Sequence, residues 1–248
     1  MRQTPNQSRK FESMIFTTEF DYEVIPPKTW KGPEDAKLMI VLHGRGDSLK
    51  PFREFDEELP LEGFTYLLLN APRKYDGGYT WYAFPPKQGP EVARNRLKIF
   101  RLLEELQLQG WKLENIYFLG FSQGSLMSID VGIRYPQRLG GIIGISGYIY
   151  FFENWLEEVS EAAYETPILI THGTEDFDLP IEDTQKDVWR LLFEAGIPLT
   201  WKEFKKEHEI CVDYETPFIR NWIFANRKKR KSLASNSRNL IYENSLSL

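Results

Sequence analysis

Five short apolar segments constrain this chain more than any other feature. They are Leu38–Leu42, Phe64–Asn70, Ile116–Leu119, Gly141–Ile145 and Ile168–Ile170, with a weaker sixth at Leu199–Phe204. Most are rich in Ile, Leu and aromatics and lack polar alternation. Runs of that length and character are strands buried on both faces, as in a mainly parallel sheet. Helical patterns separate them. Glu91–Gln109 places Val92, Ala93, Leu97, Phe100, Leu103 and Leu106 at spacings of three and four, and Gly110 follows as a stop. Ser125–Tyr135 and Thr184–Ala195 are the next two helices, the second ended by Gly196 with Pro198 just beyond. Strand alternating with helix demands right-handed crossovers. The expectation is an α/β chain with a doubly wound, mainly parallel sheet and helices on both faces. Residues 14–25 add one or two N-terminal strands.

The 248 residues suit a single domain of this kind. That domain is expected over residues 1–225, with 1–13 flexible, followed by a basic and then Ser/Asn-rich tail at 226–248 that reads as disordered. Little chain is left for a large cap domain. The formal net charge is −5, yet the 22 residues from Arg227 onward carry Arg227, Lys228, Lys229, Arg230, Lys231 and Arg238 against Glu243 alone. The remaining body is therefore strongly acidic, which argues against a nucleic-acid-binding domain. Three histidines (His43, His172, His208), no HExxH pattern and no Cys/His cluster argue against metal chemistry. The longest apolar stretch, Leu139 to Phe152, is too short to span a bilayer. The N-terminal residues show no apolar signal region, and the single cysteine, Cys211, has no internal disulfide partner. Both point to a reducing, cytoplasmic setting.

Gly120-Phe121-Ser122-Gln123-Gly124 is a GxSxG pattern. Random order of this composition would give about 0.06 such matches. Its context is more telling than its rarity. A buried-strand pattern ends just before it and a helical pattern begins just after, so Ser122 falls on a strand-to-helix turn. Such a turn holds the serine in a strained conformation, and only small neighbours two residues to either side avoid a clash. It also aims the Gln123 amide and the helix N-terminus at developing negative charge.

A serine hydroxyl near neutral pH needs a base. His43 follows the first core strand, His172 follows a later one, and His208 comes after the last. On sheets built around this kind of elbow the partners run in the order nucleophile, acid, histidine. Only His208 lies after both Ser122 and a strand-end carboxylate. Asp176, six residues past Ile170, stands at the carboxyl edge of the sheet, where ligands meet such folds; Glu175 and Asp178 compete with it on proximity. The turn His43-Gly44-Arg45-Gly46 can present a backbone N–H opposite the nucleophile, through the Arg45 amide.

Taken together, these residues resemble the α/β-hydrolases of the acyl-protein thioesterase and phospholipase/carboxylesterase family. The resemblance runs from about Leu38 to Trp222. It rests on LHGRGD at 42–47, NAP at 70–72, TWY at 80–82, GFSQG at 120–124, ISGY at 145–148, HGTEDFDLP at 172–180 and HEI at 208–210. It implies Ser122 as nucleophile, Asp176 as acid and His208 as base, the amides of Arg45 and Gln123 as oxyanion donors, and Trp81 beside the acyl site as a substrate-binding residue. The chain departs from the family in three places. Ser125 stands where a second Gly is usual, FDLP at 177–180 replaces a PVVP-like run, and Glu207 replaces a Gly common before the histidine. The aromatic stretch Tyr148–Phe152 is either an apolar wall for an acyl or aryl group or core packing.

The expected chemistry is acyl transfer from a small-molecule ester or thioester to water through an acyl-enzyme, with no cofactor and no metal. A site without a cap favours short to medium acyl groups. A long-chain thioesterase or lysophospholipase, another hydrolase such as a peptidase, and a catalytically silent binding fold are the other readings. The basic tail is expected to do no more than touch an anionic surface weakly, since each positive side chain adds about 1 kcal/mol there. No lipidation motif accompanies it, and oligomeric state is not legible.

Overall fold

The structure is a computed structural model that describes residues 16–27, 32 and 36–227. Its centre is a seven-stranded sheet built from β1 (Tyr22–Ile25), β2 (Lys37–Leu42), β3 (Phe64–Leu69), β6 (Ile116–Phe121), β7 (Gly141–Ile145), β8 (Ile168–Gly173) and β9 (Leu199–Phe204). The spatial order is β1-β3-β2-β6-β7-β8-β9. β1 pairs antiparallel with β3, and every other pairing in this sheet is parallel. A separate two-stranded ribbon, β4 (Arg73–Tyr75) with β5 (Gly78–Thr80), projects after β3. The longer helices of the frame are α1 (Gly89–Leu108), α2 (Gln123–Arg134), α3 (Ile181–Trp189) and α4 over 215–227, with short helical turns such as Phe55–Glu58 between strands.

The unbroken apolar runs have a direct cause. Leu38, Ile40 and Leu42 of β2 join one hydrophobic core, together with Val92, Ile99 and Leu103 of α1 and Leu126 and Ile129 of α2. The intervening Met39 and Val41 join a second core on the opposite face, with Phe52, Phe55 and the α4 residues Ile219 and Ile223. Both faces of the central strands are thus covered, so period-two alternation has no reason to occur. Each fully buried side chain of this size contributes about 1.5–3 kcal/mol. Pro90 stands in the first turn of α1, where its missing N–H falls among the groups a helix start leaves unbonded, and Gly110 at φ +92° follows the helix end.

The expected strands and helices are present; Gly141–Ile145 and Leu199–Phe204 match end for end, and the other ends move by no more than three residues once the turn that follows α3 is counted with it. β8 runs on through His172 and Gly173, and α3 continues into a wider π-type turn over Arg190–Glu194. Of the N-terminal pattern, Tyr22–Ile25 alone is strand among the described residues. Asn226 and Arg227 close α4, while the rest of the basic tail and residues 1–13 lie outside the described residues. The β4–β5 ribbon and α4 were not legible beforehand. No helix among the described residues is long and apolar enough to cross a membrane.

Strand order reverses at β2, which has β3 on one side and β6 on the other. Doubly wound sheets carry their sites at the carboxyl ends of the strands near such a reversal. His43, Ser122, Ser146, Asp176 and His208 all follow the C-terminal ends of β2, β6, β7, β8 and β9 or close them.

Candidate active site

Ser122 sits between β6 and α2 with φ 54° and ψ −115°, a region costly for a residue with a side chain. The tight packing around it explains the flanking glycines. A Cβ on Gly124 would lie 2.0 Å from the Leu42 carbonyl oxygen, and one on Gly120 would lie 2.0 Å from the Gly124 carbonyl oxygen. The Ser122 amide donates to Ile145 O at 2.9 Å, which moors the turn to β7. Ser125, the departure from the family pattern, is fully buried in the space opposite Gly144 and Gly147. A Cβ on Gly147 would come within 2.4 Å of it, so the small residues at 144 and 147 accommodate the larger one at 125.

His208 lies in the irregular segment between β9 and α4. Its Nε2 is 3.0 Å from Ser122 Oγ and its Nδ1 is 2.8 Å from Asp176 Oδ2. The ring also packs against Phe121, with centroids 4.9 Å apart. Asp176 is buried, and its other oxygen accepts the Leu179 N–H at 2.9 Å. Glu175 and Asp178, the competing carboxylates, form no hydrogen bond or ion pair with His208 among the described residues; Glu175 pairs with Lys205 and Asp178 lines the cleft.

The other two histidines are buried, and burial lowers the pKa of each, so both rings are neutral. His172 Nε2 donates to Leu179 O at 2.8 Å and lies 3.4 Å from Asp176 Oδ2. It therefore supports the loop that presents Asp176. His43 Nδ1 donates to Gly44 O at 2.5 Å while its Nε2 accepts the Ala71 N–H at 3.0 Å. It shapes the turn that carries Arg45. That turn abuts Ser122, since a Cβ on Gly44 would lie 3.3 Å from Ser122 Cβ. Among the described residues, the amides of Arg45 and Gln123 have no protein acceptor. The Arg45 guanidinium lies 3.7 Å from the centre of the Phe84 ring.

Trp81, expected beside the acyl site, lies beneath it instead. Its side chain is 1% exposed and is absent from the cleft lining. Its indole N–H donates to His43 O at 2.9 Å, and its ring packs on Phe20 and His43. An indole at this position is needed to satisfy a buried carbonyl at the base of the turn, which explains a buried tryptophan better than substrate contact does. Its backbone N–H also donates to the Gln123 side-chain oxygen at 3.0 Å, which further accepts from Thr80 Oγ1 at 2.9 Å, while Gln123 Nε2 donates to Tyr82 O at 3.0 Å. The glutamine of GFSQG thus ties the helix start to residues 80–82. Of the aromatic stretch, Tyr148 alone lines the cleft. Phe151 packs on Trp155 and Arg190, and Phe152 on Tyr150 with the Arg96 and Arg134 guanidiniums.

The cleft over Ser122 and His208 has a volume of about 740 Å³. Tyr82, Phe84, Tyr148 and Leu179 give it apolar surface, and Arg45, Asp178, Asp183, Lys186 and Asp187 give it charge. Asp187 accepts the Ile149 N–H at 2.9 Å, and burial raises its carboxyl pKa to about 6.

A doubly wound sheet with a serine on a strained strand-to-helix turn, backed by a histidine and a buried carboxylate from later strand ends, defines an α/β-hydrolase. Residues 29–223 match the family model described as Phospholipase/Carboxylesterase, and the chain belongs to that family of ester and thioester hydrolases. It is 26% identical over 203 residues to a protein named Carboxylesterase SOBER1 from Arabidopsis thaliana, covering 75% of this chain and 89% of that one. It is 29% identical over 155 residues to Acyl-protein thioesterase 1 of Schizosaccharomyces pombe, covering 57% of this chain and 69% of the relative. The crystal structure of Arabidopsis thaliana SOBER1 superposes with a TM-score of 0.71 at 25% identity, covering 77% of this chain and 99% of that one.

Proposed function

We propose that the protein is a serine carboxylesterase in which Ser122 is the nucleophile, His208 the general base and acid, and Asp176 the group that orients and stabilises the imidazolium. The observation that carries this reading is the continuous path from Ser122 Oγ to His208 Nε2 at 3.0 Å and from His208 Nδ1 to Asp176 Oδ2 at 2.8 Å. His208 takes the hydroxyl proton as Ser122 attacks the ester carbonyl. The amides of Arg45 and Gln123 receive the oxyanion, each worth up to about 3–4 kcal/mol of barrier lowering. The protonated His208 then hands its proton to the leaving alcohol, and a water activated by the same ring releases the acid. Serine acyl transfer of this kind needs no cofactor.

The cleft supports short to medium acyl groups. Its apolar residues are interleaved with charged ones, so a lengthening chain soon meets groups that hold water. Each methylene on apolar protein contributes about 0.8 kcal/mol, and those left in water contribute nothing. A second reading, a thioesterase acting on long acyl chains, is favoured by the likeness to acyl-protein thioesterase 1. The first test is a fluorophosphonate probe followed by Ser122→Ala. The parent should be labelled at Ser122, and the folded variant should lose labelling and roughly 10⁴–10⁶-fold of its p-nitrophenyl ester hydrolysis. A fully active, folded Ser122→Ala removes the proposal. The second test is kcat/KM on ester and thioester series from about two to sixteen carbons. A value still rising at the long end selects the thioesterase reading.

A further inference from the structure

The segment that carries His208 runs from the end of β9 to the start of α4 without regular hydrogen bonding. Such a segment has no ladder to set its position, yet His208 must meet two partners on two other strands. The residue that braces it is Lys206. Its side chain is wholly buried, as is that of Glu215. Lys206 Nζ donates to Glu215 Oε2 at 2.8 Å, to Ser146 Oγ at 3.1 Å and to Glu209 O at 2.5 Å. The three acceptors fill the ammonium's three donor positions. They belong to the start of α4, the end of β7 and the residue after His208. The Lys206 main chain reaches a fourth place, since its carbonyl accepts the N–H of Glu175, next to Asp176, at 3.1 Å. Glu215 Oε2 also accepts the Cys211 N–H at 3.0 Å, which closes the loop from its far side.

We infer that Lys206, through its buried pair with Glu215, is a positioning residue for His208, holding the imidazole in register with Asp176 and Ser122. The inference rests on the serine-esterase reading above. A buried ion pair is poor evidence of stability, because removing two charges from water offsets their attraction, and a neutral replacement often folds as well. What such a pair supplies is a single geometry. Here the geometry it selects is that of the short segment from Lys206 to Glu209, which is tied at both ends and carries His208 between them. A displacement of about 1 Å at a reacting group can cost on the order of 10²-fold in rate.

The test is Lys206→Met/Glu215→Gln, which removes both charges and keeps an oxygen for the Cys211 amide. Thermal unfolding establishes that the variant is folded, and fluorophosphonate labelling counts its competent sites. The expected result is kcat on a p-nitrophenyl ester lowered about 10–100-fold, with KM within about twofold and Ser122 still labelled, more slowly. A folded variant with kcat within twofold of the parent overturns the inference. If the double variant does not fold, Ser146→Ala decides, because it deletes one acceptor of Lys206 and leaves the ion pair. A kcat lowered about 3–10-fold at constant KM supports the inference, and an unchanged kcat overturns it. An unlabelled, inactive parent sinks the hydrolase reading and the inference together. A labelled, active parent with an equally active double variant sinks the inference alone.

Discussion

The two halves of the site are built by different forces. The half around Ser122, Gly44–Arg45 and Gln123 is set by main-chain contact. Carbonyl groups of β2 and α2 press so closely on Gly120 and Gly124 that no side chain fits. The half around Asp176 and His208 is set by polar side chains: His172 under the Asp176 loop, and Lys206, Glu215 and Ser146 under the His208 loop. Steric contact is short-ranged and dictates residue size at fixed spacing, so it writes a motif. A hydrogen-bonded brace needs only a donor and an acceptor that meet in space, so its members can stand 60 residues apart, as Ser146 and Lys206 do.

The most severe way to break this contrast is in the polar half. Asp176→Asn should lower kcat by roughly 10⁴-fold in a folded protein, since an amide holds the wrong imidazole tautomer. Asp178→Asn, a charge on the same cleft without contact to His208, should stay within about threefold. A larger effect from Asp178 than from Asp176 in steady-state kinetics would show that the acid has been misassigned.

A smaller effect is expected at Gln123, one of the side chains that support the main-chain half. Gln123→Ala keeps the amide but releases residues 80–82, leaving the buried Trp81 N–H without its acceptor. The expectation is about 1–3 kcal/mol of lost stability in denaturant unfolding and a kcat lowered about tenfold. A variant unchanged in both would mean that backbone packing alone holds the elbow, and the contrast between the halves would sharpen.

The smallest effect concerns Asp187 at the cleft wall. Its carboxyl titrates near 6 in the folded state and near 3.9 when unfolded. Between those values the folded state holds a proton that the unfolded state has lost, so stability declines as pH rises through that window and the decline is complete above it. Asp187→Asn removes the titrating group and can still accept the Ile149 N–H. Its Tm relative to the parent should therefore be higher at pH 7.5 than at pH 4. A Tm difference that does not change with pH would refute this account of Asp187.

Much of this was readable before any coordinates. The runs at 38–42, 64–70, 116–119, 141–145 and 168–170 are strands because they are covered on both faces, and dense apolar sequence has that cause. The β4–β5 ribbon is not legible in the sequence because its strands are short and β4 is exposed, and neither is α4, because residues 215–227 mix buried Ile219 and Ile223 with a basic end that masks the period. Trp81 shows the limit of carrying a position over by resemblance: the residue is close to the site, but its indole N–H faces a carbonyl of the protein rather than the cleft.

The sequence by itself determined the sheet, the elbow at Ser122 and the small set of residues able to serve as acid and base, because burial and steric clash act on residue type at short and regular spacing. Only the tertiary structure decided that His43 and His172 are neutral supports, that Phe151 and Phe152 belong to the packing and Tyr148 to the cleft, and that Lys206 is buried on Glu215. Those outcomes depend on which groups meet across strand ends, and on whether water reaches them, and neither is written in the order of the residues.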